Sequence, residues 1–425
     1  MATDVDIQYF SHLNGLTLGN NWGDLIRLLD KALVTGIDFT QITAASIDAQ
    51  GDVHITLYSD HNAMLFQVVE LTGFAPASFN QKYRIKGVPN TTQLILKPHA
   101  AIAETSITTV GAGKLASLGY EIIFRDTNDV KRVYRAKNPT AQHPFIRVDE
   151  SLTSPDGTTG VYTSTYAKYA MVGLLEHMEH IDDYENPDVL QLPFDPADPA
   201  KNWKITGTGT NCVRGWSRWV WARSAEVYQN TSESSAPSNG NRAFTLCGNT
   251  DAFYINLSLT TNGAYKRVYG TGLFKTSQPA STNPNWFIAT YLVNQSAGTT
   301  YGYASIGGTP FGSNSNASKI FATNSNLLNR LMPTIECIPI VYNYGTGNSG
   351  SFNATSPAAL EIPFFDTNNT LRGTIAHCLY SGNNAVISET QVMIAENSMY
   401  IRDASHSGTG AGGAGHVYYY LGELG

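Results

Sequence analysis

The sequence predicts a mainly β protein: an N-terminal amphipathic helix, one or two small β-domains, then a larger antiparallel β-sandwich or barrel-like C-terminal region. Three observations carry this. Charged residues are only 14%, against about 25% in a typical soluble protein. Glycine is abundant at 38 residues and aromatics reach 11%. After one helical stretch the hydrophobic pattern becomes short alternating runs separated by Gly, Ser, Asn and Pro, the signature of strands and turns.

The helical stretch comes first. Leu25, Ile26, Leu28, Leu29, Ala32 and Leu33 recur at helical spacing, with Asp24 near the start and Gly36 just beyond, predicting a helix over 22–35. Residues 1–40 form a helical anchor in this reading. Its apolar stripe needs a partner surface, so Leu25, Ile26, Leu29 and Leu33 are candidate assembly contacts. Residues 41–100 follow as a small β-domain, with strands at 53–58, 83–88 and 93–97. A second β-rich domain, 101–195, contains "YEIIF" and "KRVYRAK" flanking the Asp126–Asp129 turn, then "PFIRVDES". Pro193, Pro196 and Pro199 mark a boundary. The C-terminal domain, 196–425, reads as short strands throughout, with long surface loops at 296–326 and 344–357. No repeat at a fixed period is visible, which excludes a propeller or solenoid. The chain ends in a Gly/Ala stretch and an aromatic strand whose Tyr418, Tyr419 and Tyr420 complete its own sheet or a neighbour's.

Composition also excludes functions. The net charge is −7 and no Lys/Arg-rich run occurs, which argues against binding the nucleic-acid backbone. No run of about 18 apolar residues exists, so no membrane insertion is expected, and the N-terminus lacks signal-peptide features. The four cysteines, Cys212, Cys247, Cys337 and Cys378, form no CxxC and read as buried thiols. Sequons such as those at Asn230 and Asn353 follow from Asn/Ser/Thr abundance alone.

Several clusters invite chemistry. "LLEHMEHIDDYENPD" (174–188) places His177 and His180 among carboxylates, but the HExxH spacing of zinc peptidases is absent, and a strand running into an acidic turn is the expected reading. No metal or cofactor is expected. "RGWSRWVWAR" concentrates Trp216, Trp219 and Trp221 with three arginines. It is read as a core strand, with a glycan-stacking face, aided by Tyr301 and Tyr303, as the alternative. His377 and Cys378 are adjacent on a strand and point to opposite faces, so they form no base–nucleophile pair. No catalytic residue is nominated.

In order along the chain, "LIRLLDKALVTGID", "SFNQKYRIKGV", "SLGYEIIFRDTNDVKRVYRAK", "IRVDES", "LLEHMEHIDD", "WVWARS…AFYINLS" and "LRGTIAHCLY" resemble a family of tailed-bacteriophage virion structural proteins. Gln81 stands where the family has Gly in its Asn-Gly-x-Tyr turn, and Tyr120 where it has Trp. The resemblance implies a non-enzymatic subunit present in many copies on the particle exterior, at the tail or baseplate or as a capsid decoration or head fibre. It would be made in the bacterial cytoplasm, and its partners would be other virion proteins and itself. The alternative is a receptor module recognising a host-surface glycan. A depolymerising enzyme would need two facing carboxylates in a cleft.

Overall fold

The structure is a computed structural model. It describes residues 3–154, 157, 160–226, 233–261, 263, 266–278, 283–292, 318–325, 331–339, 360–381, 390–406 and 414–425. The protein is mainly β, built of antiparallel sheets, with one parallel strand pair, Gly160–Val161 against Ile205–Thr208, in a minor third sheet.

The first α-helical segment starts at Asp24, as a short α-helix Asp24–Leu29 running into a π-helical turn Asp30–Thr35, and not as the single regular N-terminal helix over 22–35 that the spacing predicts. Gly36 stops it: its φ is +73°, and a Cβ there would lie 2.1 Å from the Leu115 carbonyl oxygen. The anchor reading needs correction. Leu25, Ile26, Leu29 and Leu33 are fully buried in the chain's own core, against strands of the small sheet and of the main body. The partner surface that the stripe requires is supplied by the same chain. Asp30 fixes the helix to the hairpin Tyr120–Arg125/Lys131–Ala136, accepting from Tyr134 Oη at 2.8 Å and from Arg132 Nε at 3.2 Å.

The seven-stranded sheet runs in the order Ile37–Asp38, Ala112–Leu115, Val68–Thr72, Lys82–Asn90, Gln93–Pro98, Val53–Leu57, Ile42–Ile47. The expected strands at 53–58, 83–88 and 93–97 are present, but the sheet extends from 37 to 115 rather than closing at 100. No break in pairing separates 101–195 from the rest either. Lys168–Leu175 pairs with Ser217–Ala222, and among the described residues the strands from residue 120 onward, apart from the minor third sheet, join Gln8–Ser11 in one network of nineteen strands. Strand pairing thus runs across residue 100 in the small sheet and across residue 195 in the large one.

Three central strands, Ala252–Ser258, Lys266–Leu273 and Trp286–Leu292, form the wall between two hydrophobic cores. Alternation sends Phe253, Ile255, Trp286 and Ile288 into the first core and Tyr254, Phe287 and Ala289 into the second. Both faces being apolar, the strands read as continuous hydrophobic runs. The second core is closed by Leu360–Asp366, Leu371–Ser381, Ser398–His406 and Ala414–Glu423, with Tyr254 stacked on Tyr419 at 5.9 Å. Within the expected loop 296–326, Ser318–Ala322 is a strand paired with Phe287–Tyr291; the remainder, apart from 323–325, and the loop 344–357 lie outside the described residues.

Both ends of the chain are sewn into this body. Gln8–Ser11 pairs with Thr245–Gly248, and Asp4 N donates to Glu423 O at 3.0 Å while Glu423 N donates to Asp4 Oδ2 at 2.8 Å. Arg84, fully buried, joins three segments. Its Nε and Nη2 donate to Asp4 O, Nη1 to Ile7 O and Phe66 O, and Nη2 also to Leu421 O, at 2.6–3.0 Å. Burial pulls the guanidinium down to about 10, still charged at neutral pH. All five guanidinium N–H groups thus have a carbonyl acceptor.

Arg84→Met should lower stability by about 3 kcal/mol or more, because it strands several buried carbonyls. Hydrogen exchange should rise together at residues 4–11 and 421–423. A loss confined to the small sheet would contradict this linkage.

Candidate functional site

The residues nominated from sequence go mostly into the interior. Trp219 and Trp221 are fully buried. Trp219 stacks on Tyr269 at 6.0 Å and Trp221 meets Trp22 edge-on at 5.7 Å. Only Trp216 is partly exposed, under Lys201 at 4.6 Å. The strand Ser217–Ala222 is buried on both faces, so Trp219 and Trp221 provide no glycan platform; Tyr301 and Tyr303 lie outside the described residues. Tyr418 and Tyr419 are also buried, and Tyr420 partly so. The terminal strand pairs with Leu371–Ser381 and Ser398–His406 of its own chain. It completes its own sheet, so these tyrosines are core residues and not an assembly anchor.

"LLEHMEHIDDYENPD" is the end of the strand Lys168–Leu175 followed by a turn. The histidines stand at its exposed outside, His177 Nε2 3.4 Å from Glu179 Oε1. The acid that matters is Asp182, whose oxygens accept from Lys131 Nζ at 2.8 and 3.0 Å and from Arg147 Nη2 at 2.6 Å. Burial pushes this carboxyl up, but the two cations outweigh it and hold it below the ordinary range. Arg147 is itself fully buried, lies 4.5 Å over the Trp203 ring, and also pairs with Asp149 at 2.8 Å. The acidic turn is a clasp that neutralises a buried arginine.

The largest convergence of polar and aromatic groups was missed in sequence. Arg214 and Arg218, both buried, lie 4.4 and 4.2 Å from the centre of the Tyr169 ring, and Arg214 also sits 5.0 Å over Trp22. Arg214 Nε donates to Ser151 O, and Arg218 Nε to Arg214 O, each at 2.8 Å. Glu233 faces Arg218 at 3.7 Å. Lys168 Nζ donates to Ser164 O and Tyr166 O, and burial drops it to about 8. Beside this cluster the buried Glu150 holds the helix start, accepting from Gly23 N and from Ile26 N. Burial pushes its carboxyl up to about 8, against the pull of those two N–H groups and of Arg214. The signal was present: charges recurring inside an aromatic strand, as in "RGWSRWVWAR", mark cations that must be buried on rings and carbonyls.

Chemically these groups hold conformation. Cys212, next to the cluster, is kept protonated because burial raises it to about 11. Cys247, Cys337 and Cys378 are buried free thiols as well, and burial also raises Cys378, a poor nucleophile. His377 lies at φ +58°, where the strand bulges, so simple alternation does not hold there. Thr140, His143 and Asp251 resemble a hydrolytic triad, with Oγ1–Nδ1 at 3.0 Å and Nε2–Oδ1 at 2.9 Å. Yet the Thr140 backbone N–H donates to the same Nδ1 at 2.9 Å, occupying the lone pair that a general base would use; the arrangement caps a turn. Among the described residues no group of three or more metal-binding side chains gathers, and no helix is long and apolar enough to cross a membrane. Neither the protein-family models nor the curated proteins contain a match to this chain.

Asp182→Ala should cost roughly 1–2 kcal/mol in denaturant unfolding, whereas His177→Ala and His180→Ala should each stay within about 0.5 kcal/mol. Equal losses at all three positions would show that the histidines are structural too. Glu150 gives a pH signature. Its folded value lies above its ordinary 4.5, so its contribution is complete below 4.5 and is lost as pH rises towards about 8. Urea unfolding followed from about pH 5 to pH 8 should show this loss in the wild type and its absence in Glu150→Gln.

Proposed function

We propose that this chain is a non-enzymatic structural subunit of a bacteriophage particle, present in multiple copies on the particle exterior, at the tail or baseplate or as a capsid decoration or head fibre. The observation that carries the reading is where the family-like segments fall. "LIRLLDKALVTGID" is the buried helix, "SLGYEIIFRDTNDVKRVYRAK" the hairpin that receives it, "WVWARS…AFYINLS" the strands facing the first core, and "LRGTIAHCLY" a strand of the second. Each is frame and none is a reaction centre, as suits a protein whose product is an assembly. In this reading the chain is made in the bacterial cytoplasm, its localisation is the virion, and its partners are other virion proteins and copies of itself.

The contact surfaces of such a subunit are not the helix stripe or the terminal tyrosines, which the core occupies. Phe10, Leu18, Leu25, Ile26, Leu29 and Leu33 are part of that core, so deleting residues 1–35 should unfold the protein rather than merely detach it. Recognition of a host glycan as the main role has lost two of its three nominated indoles, Trp219 and Trp221, to the core.

Purified particles from the phage or induced prophage encoding this chain should contain it in several copies per particle by quantitative mass spectrometry, and antibody labelling should decorate their outside. Its absence from particles that are otherwise complete, with the protein found only in the cell lysate, would overturn the proposal.

A further inference from the structure

Two stretches of the chain align without a gap: "YEIIFRDTNDVKRVYRA" at 120–136 and "LEIPFFDTNNTLRGTIA" at 360–376. They share the Glu, the Ile, the Phe, the Asp-Thr-Asn of the turn, the Arg beyond it and the final Ala. The structure repeats the match. Both are antiparallel hairpins in which Phe124 pairs with Val133 and, at the corresponding positions, Phe364 with Gly373. Asp126 Oδ1 accepts from Val130 N and Asp366 Oδ1 from Thr370 N, each at 3.0 Å. The fourth turn residue is left-handed in each, Asp129 at φ 59° and Asn369 at φ 61°. The buried arginine returns to the turn aspartate in both, Arg132 to Asp126 at 3.9 Å and Arg372 to Asp366 at 3.5 Å. Turn chemistry alone accounts for Asp-Thr-Asn. It does not account for the shared Glu, Ile, Phe and Arg in the strands, so these are two copies of one module. A search for fixed-period repeats does not find a single duplicated hairpin.

The copies differ in one respect. In the second, the outer edge of Leu360–Asp366 is covered: Phe364, Phe365 and Asp366 pair with Pro339, Ile338 and Cys337 of the strand Ile335–Pro339. In the first, Tyr120–Arg125 pairs only with Lys131–Ala136 among the described residues, and the corresponding positions Phe124, Arg125 and Asp126 have no strand beside them. Ile122, Ile123 and Phe124 pack half-buried against the chain's own first core, while the outer side of this strand's backbone is unpaired among the described residues, an edge of the kind that accepts another strand. The second copy shows what such an edge takes: a short, mostly apolar strand.

The same sheet offers such a strand at another open edge. Gln391–Ala395 pairs only with Ser398–His406 among the described residues. Its sequence, QVMIA, has no charge, and Ile394 is 53% exposed. Nothing in it guards against edge-to-edge pairing. We infer that the edge Tyr120–Arg125 of one copy of this chain receives the edge Gln391–Ala395 of the next, joining subunits head to tail through a continued sheet. Such a contact uses two different surfaces, so it propagates into a ring or a filament rather than closing as a two-fold dimer. This deepens the virion reading and rests on it for the supply of many copies, but it is tested on the purified chain.

Arg125, with a side chain 53% exposed, and Ile394 are open positions, while the native cysteines are buried, so the test uses the full-length variants Arg125→Cys and Ile394→Cys. Mixed and treated with a bis-maleimide, they should give a cross-linked dimer that neither gives alone. Ile394→Lys should abolish cross-linking to Arg125→Cys and remove the self-association that sedimentation velocity detects in the wild type, with an unchanged far-ultraviolet circular dichroism spectrum. A wild type that stays monomeric, equal cross-linking of each cysteine variant alone, no cross-link in the mixture, or a folded Ile394→Lys that still associates would overturn the inference. Cover of either edge by residues of the same chain would appear as the monomeric result. Cross-linking by a chain that is absent from particles would leave this contact standing and remove the virion reading; particles containing a chain that fails to cross-link would do the reverse.

Discussion

A single guanidinium holds the three parts of this chain in register. Arg84 rises from the seven-stranded sheet and donates to carbonyls of the N-terminal segment, of its own sheet and of the last strand. An isolated charge at that depth would be prohibitive; one with every N–H donor directed at a carbonyl is tolerated and geometrically demanding. Gln8 works alongside it. Its amide nitrogen donates to Val68 O and Ala116 O, and its oxygen accepts from Val68 N and Tyr9 N, at 2.8–3.0 Å. Since the N-terminal strand also pairs with Thr245–Gly248, the small sheet is tied through it to the middle of the chain and, through Arg84 and Leu421 O, to the last strand.

Low overall charge and heavily used buried charge belong together here. Arg84, Arg132, Arg147, Arg214, Arg218, Arg242 and Arg267 are among the largest fully buried side chains. All are held by carbonyl oxygens, joined by a carboxylate at Arg132, Arg147, Arg218 and Arg267 and by an aromatic face at Arg147, Arg214 and Arg218, environments in which the weakly hydrated, planar guanidinium is favoured over an ammonium. The cost of breaking any one is correspondingly concentrated, because removing a partner leaves a cation in the interior.

The sequence made local structure legible and long-range structure much less so. The helix was visible because its apolar stripe is periodic, and the Tyr120–Ala136 hairpin because alternating strands flank an Asp-Thr-Asn-Asp turn. What covers the stripe was invisible: Leu25 and Leu33 would look the same facing a neighbour or their own core, and only the third dimension distinguishes the two. Pairing across the expected domain limits was invisible for a related reason. Proline-rich segments near 190–201 resemble linkers, yet Asn202 at the end of that stretch donates to Val172 O and accepts from Ser217 N, locking the supposed boundary into the sheet. The arginine–aromatic cluster was half legible: "RGWSRWVWAR" reads as a core strand, but the burial of Arg214 and Arg218 against the distant Tyr169 ring is not visible in the sequence. Alternation marks inside and outside only when one face of the sheet meets water.

The central wall has no such wet face, and this changes what its few polar residues do. Sliding Ala252–Ser258 by one position would exchange Phe253 and Tyr254 between the two cores, and hydrophobicity alone would barely resist it. Asn256, donating to Ala404 O at 2.7 Å, and Lys266, paired with Asp403 at 2.7 Å with both side chains fully buried, do resist it. Each has its partner in only one alignment. These groups act as pins in a keyway: they add little to how tightly the layers adhere, and they decide which of two nearly equivalent alignments is the native one.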